Sequence, residues 1–236
     1  MRRLLVVLIV LAGLLVLADR LVVGVADRAV ARQIRSSLQL QQNPDVKIHG
    51  FPFLWQAVRG QYDDVEVTIP SVNAEQLHNL RVHVQLHGLH APLTDVINRD
   101  LQSVPVNAIS GTVAVNYTDL ASASGISGLR VVPAGDGTVT VSGTISLLGQ
   151  QRPVSAHAQV AVSGRNLVVT ADHATVGGIT LPQSALDVAA QQLTFTVSTR
   201  SLPLGLRITT VQAGSDSLTV AAQARDTTLK PGASVS

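Results

Sequence analysis

Cysteine is absent from the 236 residues, aromatic side chains make up 3% of them, and charged side chains only 14%. Without cysteine there is no disulfide framework, thiolate zinc site, cysteine nucleophile or lipid-modified N-terminal cysteine; the compartment stays open, because many exported domains carry no disulfide. So few aromatic rings leave little to stack on bases or sugars. What remains is aliphatic. A hydrophobic fraction of 46% and a mean hydropathy of +0.32 exclude a disordered chain. The length suits one domain, with two small halves as the alternative.

The sequence pI near 9.5 raises nucleic acid as a partner until the charge is located. Residues 1–35 hold six arginines against Asp19 and Asp27, a local net of +4 in a chain of net +2, so the remainder carries −2. A phosphate-tracking protein needs its basic residues on the folded body. Here they belong to membrane topology, and nucleic acid is not an expected partner.

Met1-Arg2-Arg3 is a short positive leader before an unbroken apolar run from Leu4 to Ala18. As a helix that run is about 22 Å long, short of the ~20 residues that span hydrocarbon. Two readings compete for residues 1–20. One is a signal peptide with Val16-Leu17-Ala18 at the cleavage positions. The other is an uncleaved anchor that continues through Leu21–Ala26, with Asp19 and Arg20 near the outer interface. Both leave Arg2 and Arg3 in the cytoplasm and the rest outside.

From Leu21 to Gln42 the period is helical. Val22, Val25/Ala26, Ala29/Val30, Ile34 and Leu38 recur at three- and four-residue spacing, Asp27, Arg28, Arg32 and Arg35 fall mostly elsewhere, and Asn43-Pro44 is the expected stop. After Pro44 the period becomes two. Val139, Val141, Ile145 and Leu147 alternate with polar residues, as do Val154, Ala156, Ala158, Val160 and Val162. One dry face and one wet face mark antiparallel strands. Further strands are expected at 46–49, 62–69, 80–89, 111–117, 129–132, 167–171, 193–199, 206–211 and 218–224, and short helices at 53–59, 118–124 and 183–191. The turns fall at 135–137, 149–151, 163–166 and 213–216. So many one-faced strands bury one apolar surface, either by stacking two sheets or by curving one sheet around the N-terminal helix. An interior of Val, Ile, Leu and Ala serves as a packed core or as a tunnel for acyl chains, each buried methylene contributing ~0.8 kcal/mol.

No residue pattern points to catalysis or a metal. Of the seven histidines, His78, His83, His87 and His90 cluster. Val82, Val84 and Leu86 alternate with them as a strand, which sets His83 and His87 roughly 13 Å apart on the wet face, too far to share an ion. Asp63, Asp64 and Glu66 read as a solvated strand face, not a glycosidase pair. There is no Gly-x-Ser-x-Gly elbow, phosphate loop or His-Glu-x-x-His. Neither cofactor nor metal is expected.

The densest segment is Gly50-Phe51-Pro52-Phe53-Leu54-Trp55-Gln56-Ala57-Val58-Arg59-Gly60, with two of the three phenylalanines and the sole tryptophan. It reads either as a hydrophobic plug at one end of a sheet or as a mouth at a membrane surface. Phe51, Phe53, Leu54, Trp55 and Val58, with strand positions Val65, Val67, Val82, Val84 and Leu86, form the candidate lipid-contacting set.

Gly-Phe-Pro-Phe-Leu-Trp-Gln at 50–56 leading into Gly60-Gln61-Tyr62-Asp63-Asp64-Val65-Glu66-Val67 resembles the LmeA-like phospholipid-binding proteins of actinobacterial cell envelopes. The likeness continues at Val115-Asn116-Tyr117-Thr118-Asp119-Leu120, at Leu202-Pro203-Leu204-Gly205-Leu206 and at Asp226-Thr227-Thr228-Leu229. Trp55 stands where a small polar residue is commoner, and Ser217 where glycine is usual. The resemblance implies an exported α+β domain, 21–236, in which a curved antiparallel sheet wraps a long N-terminal amphipathic helix, similar to tubular lipid-binding folds. It implies phospholipid and membrane as partners and a role in envelope lipid or lipoglycan biosynthesis, and it supplies no catalytic residue. The alternative is a structural envelope protein or assembly partner with a filled core; an enzyme ranks third.

Overall fold

A computed structural model describes residues 2–74, 77–92, 95, 103–135, 137–147, 150–163, 166–176, 183–198 and 206–229. Among these residues, a long helix α1 (Arg2–Ser37) precedes eleven strands and three short helices. The strands are β1 (Asp45–His49), β2 (Gln61–Ala74), β3 (Leu77–His90), β4 (Val104–Asn116), β5 (Arg130–Pro133), β6 (Val139–Leu147), β7 (Gln150–Ser163), β8 (Asn166–Val176), β9 (Phe195–Ser198), β10 (Arg207–Ala213) and β11 (Ser217–Leu229). The short helices are α2 (Phe53–Arg59), α3 (Tyr117–Ala123) and α4 (Gln183–Leu193). This is the expected α+β class with antiparallel strands. One sheet has the order β1-β2-β3-β4-β11-β10 and the other β5-β6-β7-β8-β9.

The chain forms two compact units, one from the described residues of 2–69, 83–111 and 224–229, the other from those of 70–82 and 112–223. In the first, α1 packs against β1 and α2. The packed stripe of α1 is Asp19, Val23, Asp27, Ala31 and Ile34, one helical turn apart at nearly every step, of which Asp19 and Ala31 are buried and the others half-buried. This corrects most of the expected face: Val22, Val25, Val30 and Leu38 lie exposed, while its Ala26 and Ile34 are half-buried. The reason is a hydrogen bond: the backbone N–H of Ile48 on edge strand β1 donates to Asp27 Oδ1 at 3.0 Å, turning the aspartate side of the helix inward.

The helix also stops earlier than Pro44 predicts. Gln39 takes a left-handed conformation, φ 51°, and the N–H of buried Leu40 returns to the Arg35 carbonyl at 3.0 Å. Strand β2 runs past Pro70, where a strand was expected to end. Its pairing with β1 finishes at Thr68, so Pro70 has no partner on that side to which it owes an N–H.

The second unit is packed with small aliphatic groups. Val139, Val141 and Ala158 of β6 and β7, Val169 of β8, Ala189 and Leu193 of α4, Leu120 of α3 and Leu218 of β11 are almost wholly buried in one cluster. The alternation of β6 and β7 read from the sequence is realised in their register, Val139 opposite Ala158 and Val141 opposite Ala156. Gly149, Gly164-Arg165, Asp136 and Leu202-Pro203-Leu204-Gly205 lie outside the described residues.

Tyr117, at the start of α3, ties this unit to its last hairpin. Its hydroxyl donates to the Gly214 carbonyl at 2.6 Å, in the turn between β10 and β11. Burial, with the Asp216 carboxylate nearby, pushes the Tyr117 phenol above the ordinary tyrosine range. A raised folded value means this contribution to stability is complete below about pH 10 and is lost as pH climbs through the folded value. Tyr117→Phe should therefore cost about 1 kcal/mol at neutral pH. In urea unfolding, the variant should also lose less stability than the parent on going to alkaline pH. Identical alkaline losses in the two proteins would show that Tyr117 is not the titrating group.

Candidate functional site

The Gly-Phe-Pro-Phe-Leu-Trp-Gln segment folds as sequence chemistry demands. Gly50 has φ +104°, and a Cβ there would stand 2.3 Å from the Gln56 side-chain nitrogen, so glycine is required twice over. Pro52 occupies the N-cap of α2 and offers no side-chain acceptor. The exposed helix donors need one from elsewhere. Asp19 supplies it: Asp19 Oδ1 accepts the Leu54 N–H at 2.8 Å while the carboxylate is only 1% exposed. Gln56, also buried, donates from Nε2 to the His49 carbonyl and accepts the Asp63 N–H on Oε1. Gly60 closes the helix in the left-handed region, and a Cβ there would meet the Pro92 backbone at 2.6 Å. A seven-residue helix is thus held by three side-chain bonds and two glycines.

Its two faces differ. Phe53, Gln56 and Ala57 point inward, Phe53 being 5% exposed with its ring 6.3 Å from that of buried Tyr62. Phe51, Leu54, Trp55 and Val58 point outward, with Trp55 at 55% and Val58 at 73% exposure. Together with Leu15, Asp19 and Pro52, the outward residues line an apolar recess of about 310 Å³ between α1 and α2. Cations stand on its aromatic rim. The Arg20 guanidinium lies 5.1 Å from the Phe51 ring centre and that of Arg59 lies 4.5 Å from the Trp55 ring. A larger recess of about 660 Å³ belongs to the second unit, bounded by α3 and the 125–132 segment, and is lined by a mixture of serines, glycines, Arg130 and aliphatics.

The ten sequence-selected residues therefore divide. Phe51, Leu54, Trp55 and Val58 come together on the recess. Phe53, Val65 and Val67 lie in the core of the first unit, and Val82, Val84 and Leu86 are half-buried along β3. The wet side of these strands carries the histidines. His83 lies against Thr68 Oγ1 and Glu66, His49 against the other Glu66 oxygen, and His87 against Asp64 at 3.2 Å. His49 and His83 share Glu66, and no group of three or more possible metal ligands occurs among the described residues. Sequence reasoning missed Asp19 and Gln56 as site-building residues. The available signal was an acid inside an apolar helix, which is expensive unless something satisfies it.

A helix of high hydropathy, joined through a buried carboxylate to a short amphipathic helix and an apolar recess, defines an α+β protein equipped for apolar ligands or surfaces. The chain belongs to the LmeA-like phospholipid-binding family, which matches residues 17–223. No curated protein and no solved structure matches it. Trp55 faces outward and takes no part in packing α2 against its unit.

The burial pattern separates the two aromatic residues experimentally. Phe53→Ala should cost ~3–5 kcal/mol, the range for a truncated core aromatic, whereas Trp55→Ala should cost under about 1 kcal/mol. Denaturant unfolding of both variants checks this; equal losses would place Trp55 in the core.

Proposed function

We propose that the protein is an exported or membrane-anchored phospholipid-binding protein that shelters acyl chains against aliphatic walls, performs no chemistry on them, and serves cell-envelope lipid or lipoglycan biosynthesis. Family membership supports the ligand class. The observation that carries the reading is the recess of Leu15, Phe51, Pro52, Leu54, Trp55 and Val58, whose only polar member is the buried Asp19. Acyl chains need only such walls, and burying them supplies the binding energy without fixed charge.

α1 supports the anchor over the cleaved leader. It is long and apolar enough to cross a membrane, and little of its apolar length is buried. It continues unbroken through Val16-Leu17-Ala18, and Leu15 and Asp19, on either side of that tripeptide, both line the recess. Cleavage there would remove one wall of it. The second reading, a structural or assembly partner, draws on the closely packed aliphatic cluster of the second unit.

Native mass spectrometry of the purified full-length protein, followed by organic extraction, tests the proposal. The expected result is the unprocessed mass with co-purifying phospholipid that survives about 1 M salt, where the Debye length is ~3 Å. A protein that carries no lipid, or sheds it as salt rises, would contradict an acyl-chain mechanism.

A further inference from the structure

We propose that the outward face of α2 is a membrane-docking surface, seated in the outer leaflet of the same bilayer that α1 spans, with Arg20 and Arg59 at the level of the lipid phosphates. The proposal deepens the anchored phospholipid-binding reading and rests on its membrane anchor.

Depth favours docking. The apolar run of α1 ends at Asp19-Arg20, and Asp19 is the residue that holds α2. From Arg3 to Arg20 the helix rises about 26 Å, slightly less than the ~30 Å of a bilayer's hydrocarbon. A span that short is accommodated by thinning the bilayer or drawing its flanking residues inward. The flanking element is α2, which therefore lies at the hydrocarbon boundary.

Composition favours it as well. The face that α2 turns away from its own unit presents Phe51, Leu54, Trp55 and Val58, all exposed, and Leu15 of α1 lies in the same recess, so the apolar surface continues from the spanning helix onto α2. An exposed apolar patch continuous with a membrane helix is expected to leave water. Tryptophan flanked by arginine is the combination favoured at the interface, the ring at head-group level and the cation among phosphates.

Charge acts in the same direction. Arg20 and Arg59 stack on the rings of Phe51 and Trp55, so two cations rim the apolar face and complement lipid phosphate. Asp19 does not offset them at the surface, because it is buried beneath α2. The same contact shields a carboxylate that would otherwise face lipid.

Trp55 is the only tryptophan, so the wild-type full-length chain reports on its own docking. The protein is reconstituted into phosphatidylcholine/phosphatidylglycerol vesicles that contain phosphatidylcholine brominated either high on the acyl chain or near its end. Docking predicts that lipids brominated near the head group quench most of the Trp55 emission, that the deeper label quenches less, and that aqueous iodide quenches little. Dissolving the vesicles in excess unbrominated detergent should restore the emission, and Val58→Lys should make Trp55 accessible to iodide in the intact vesicle. Emission open to iodide and indifferent to both brominated lipids would overturn the proposal. So would quenching that persists in detergent, which would mean that Trp55 senses a tightly held lipid molecule. The extraction experiment is read separately: lipid retained without vesicle quenching defeats docking alone, and vesicle quenching without retained lipid defeats the acyl-chain reading while docking stands.

Discussion

Two carboxylates on one side of α1 organise the first unit. Asp19 accepts the N–H of Leu54 and Asp27 that of Ile48, so one helix holds the start of α2 and the free edge of β1. Eight residues apart, the two aspartates stand about 12 Å along the helix axis. A carboxylate in an apolar environment is costly unless donors reach it, and a charge-assisted bond to a backbone N–H is roughly twice as strong as a neutral one. These bonds specify which side of α1 faces the first unit, a choice that its Leu and Val residues alone do not make. Asp19 Oδ2 remains buried without a protein partner, so this tie is specific without being optimised for stability.

The α2 segment is built to receive that tie. Pro52 starts the helix but cannot cap it, Gln56 fastens its middle to the chain on both sides, and Gly50 and Gly60 admit the close approaches at its ends. With its inner face fixed by Phe53 and Ala57, the helix has only one way to present Leu54, Trp55 and Val58. The apolar recess follows from these constraints. Its place in the chain couples that recess to the end of the apolar helix.

Much of this was legible beforehand. Period-two alternation gave the antiparallel strands, and Pro52 with Gly60 bounded α2 at the observed residues. The face of α1 was misread because apolar periodicity presumes that a helix packs through its hydrophobic stripe, whereas this one packs through aspartates and leaves Val22, Val25 and Val30 exposed. The helix end was misplaced because a left-handed Gln39 stops the chain before Pro44 can. β4 was expected only from Gly111, since Pro105 and the broken alternation between Val106 and Ile109 hide its first half, which pairs nonetheless. At the site, composition flagged the aromatic cluster but could not assign directions, and it is the one-residue step from Leu54 to Phe53 that separates surface from core.

Asp19 and Asp27 hold the first unit to its apolar helix through two backbone amides. Residue-resolved amide hydrogen exchange on the full-length protein in lipid nanodiscs tests it directly, comparing the parent with Asp19→Ala and Asp27→Ala. The account predicts slow exchange at Leu54 and Ile48 in the parent. Protection should be lost at Leu54 alone in the first variant and at Ile48 alone in the second, with Asp19→Asn keeping Leu54 slow through its remaining carbonyl acceptor. Unchanged protection at both amides in the alanine variants would contradict it.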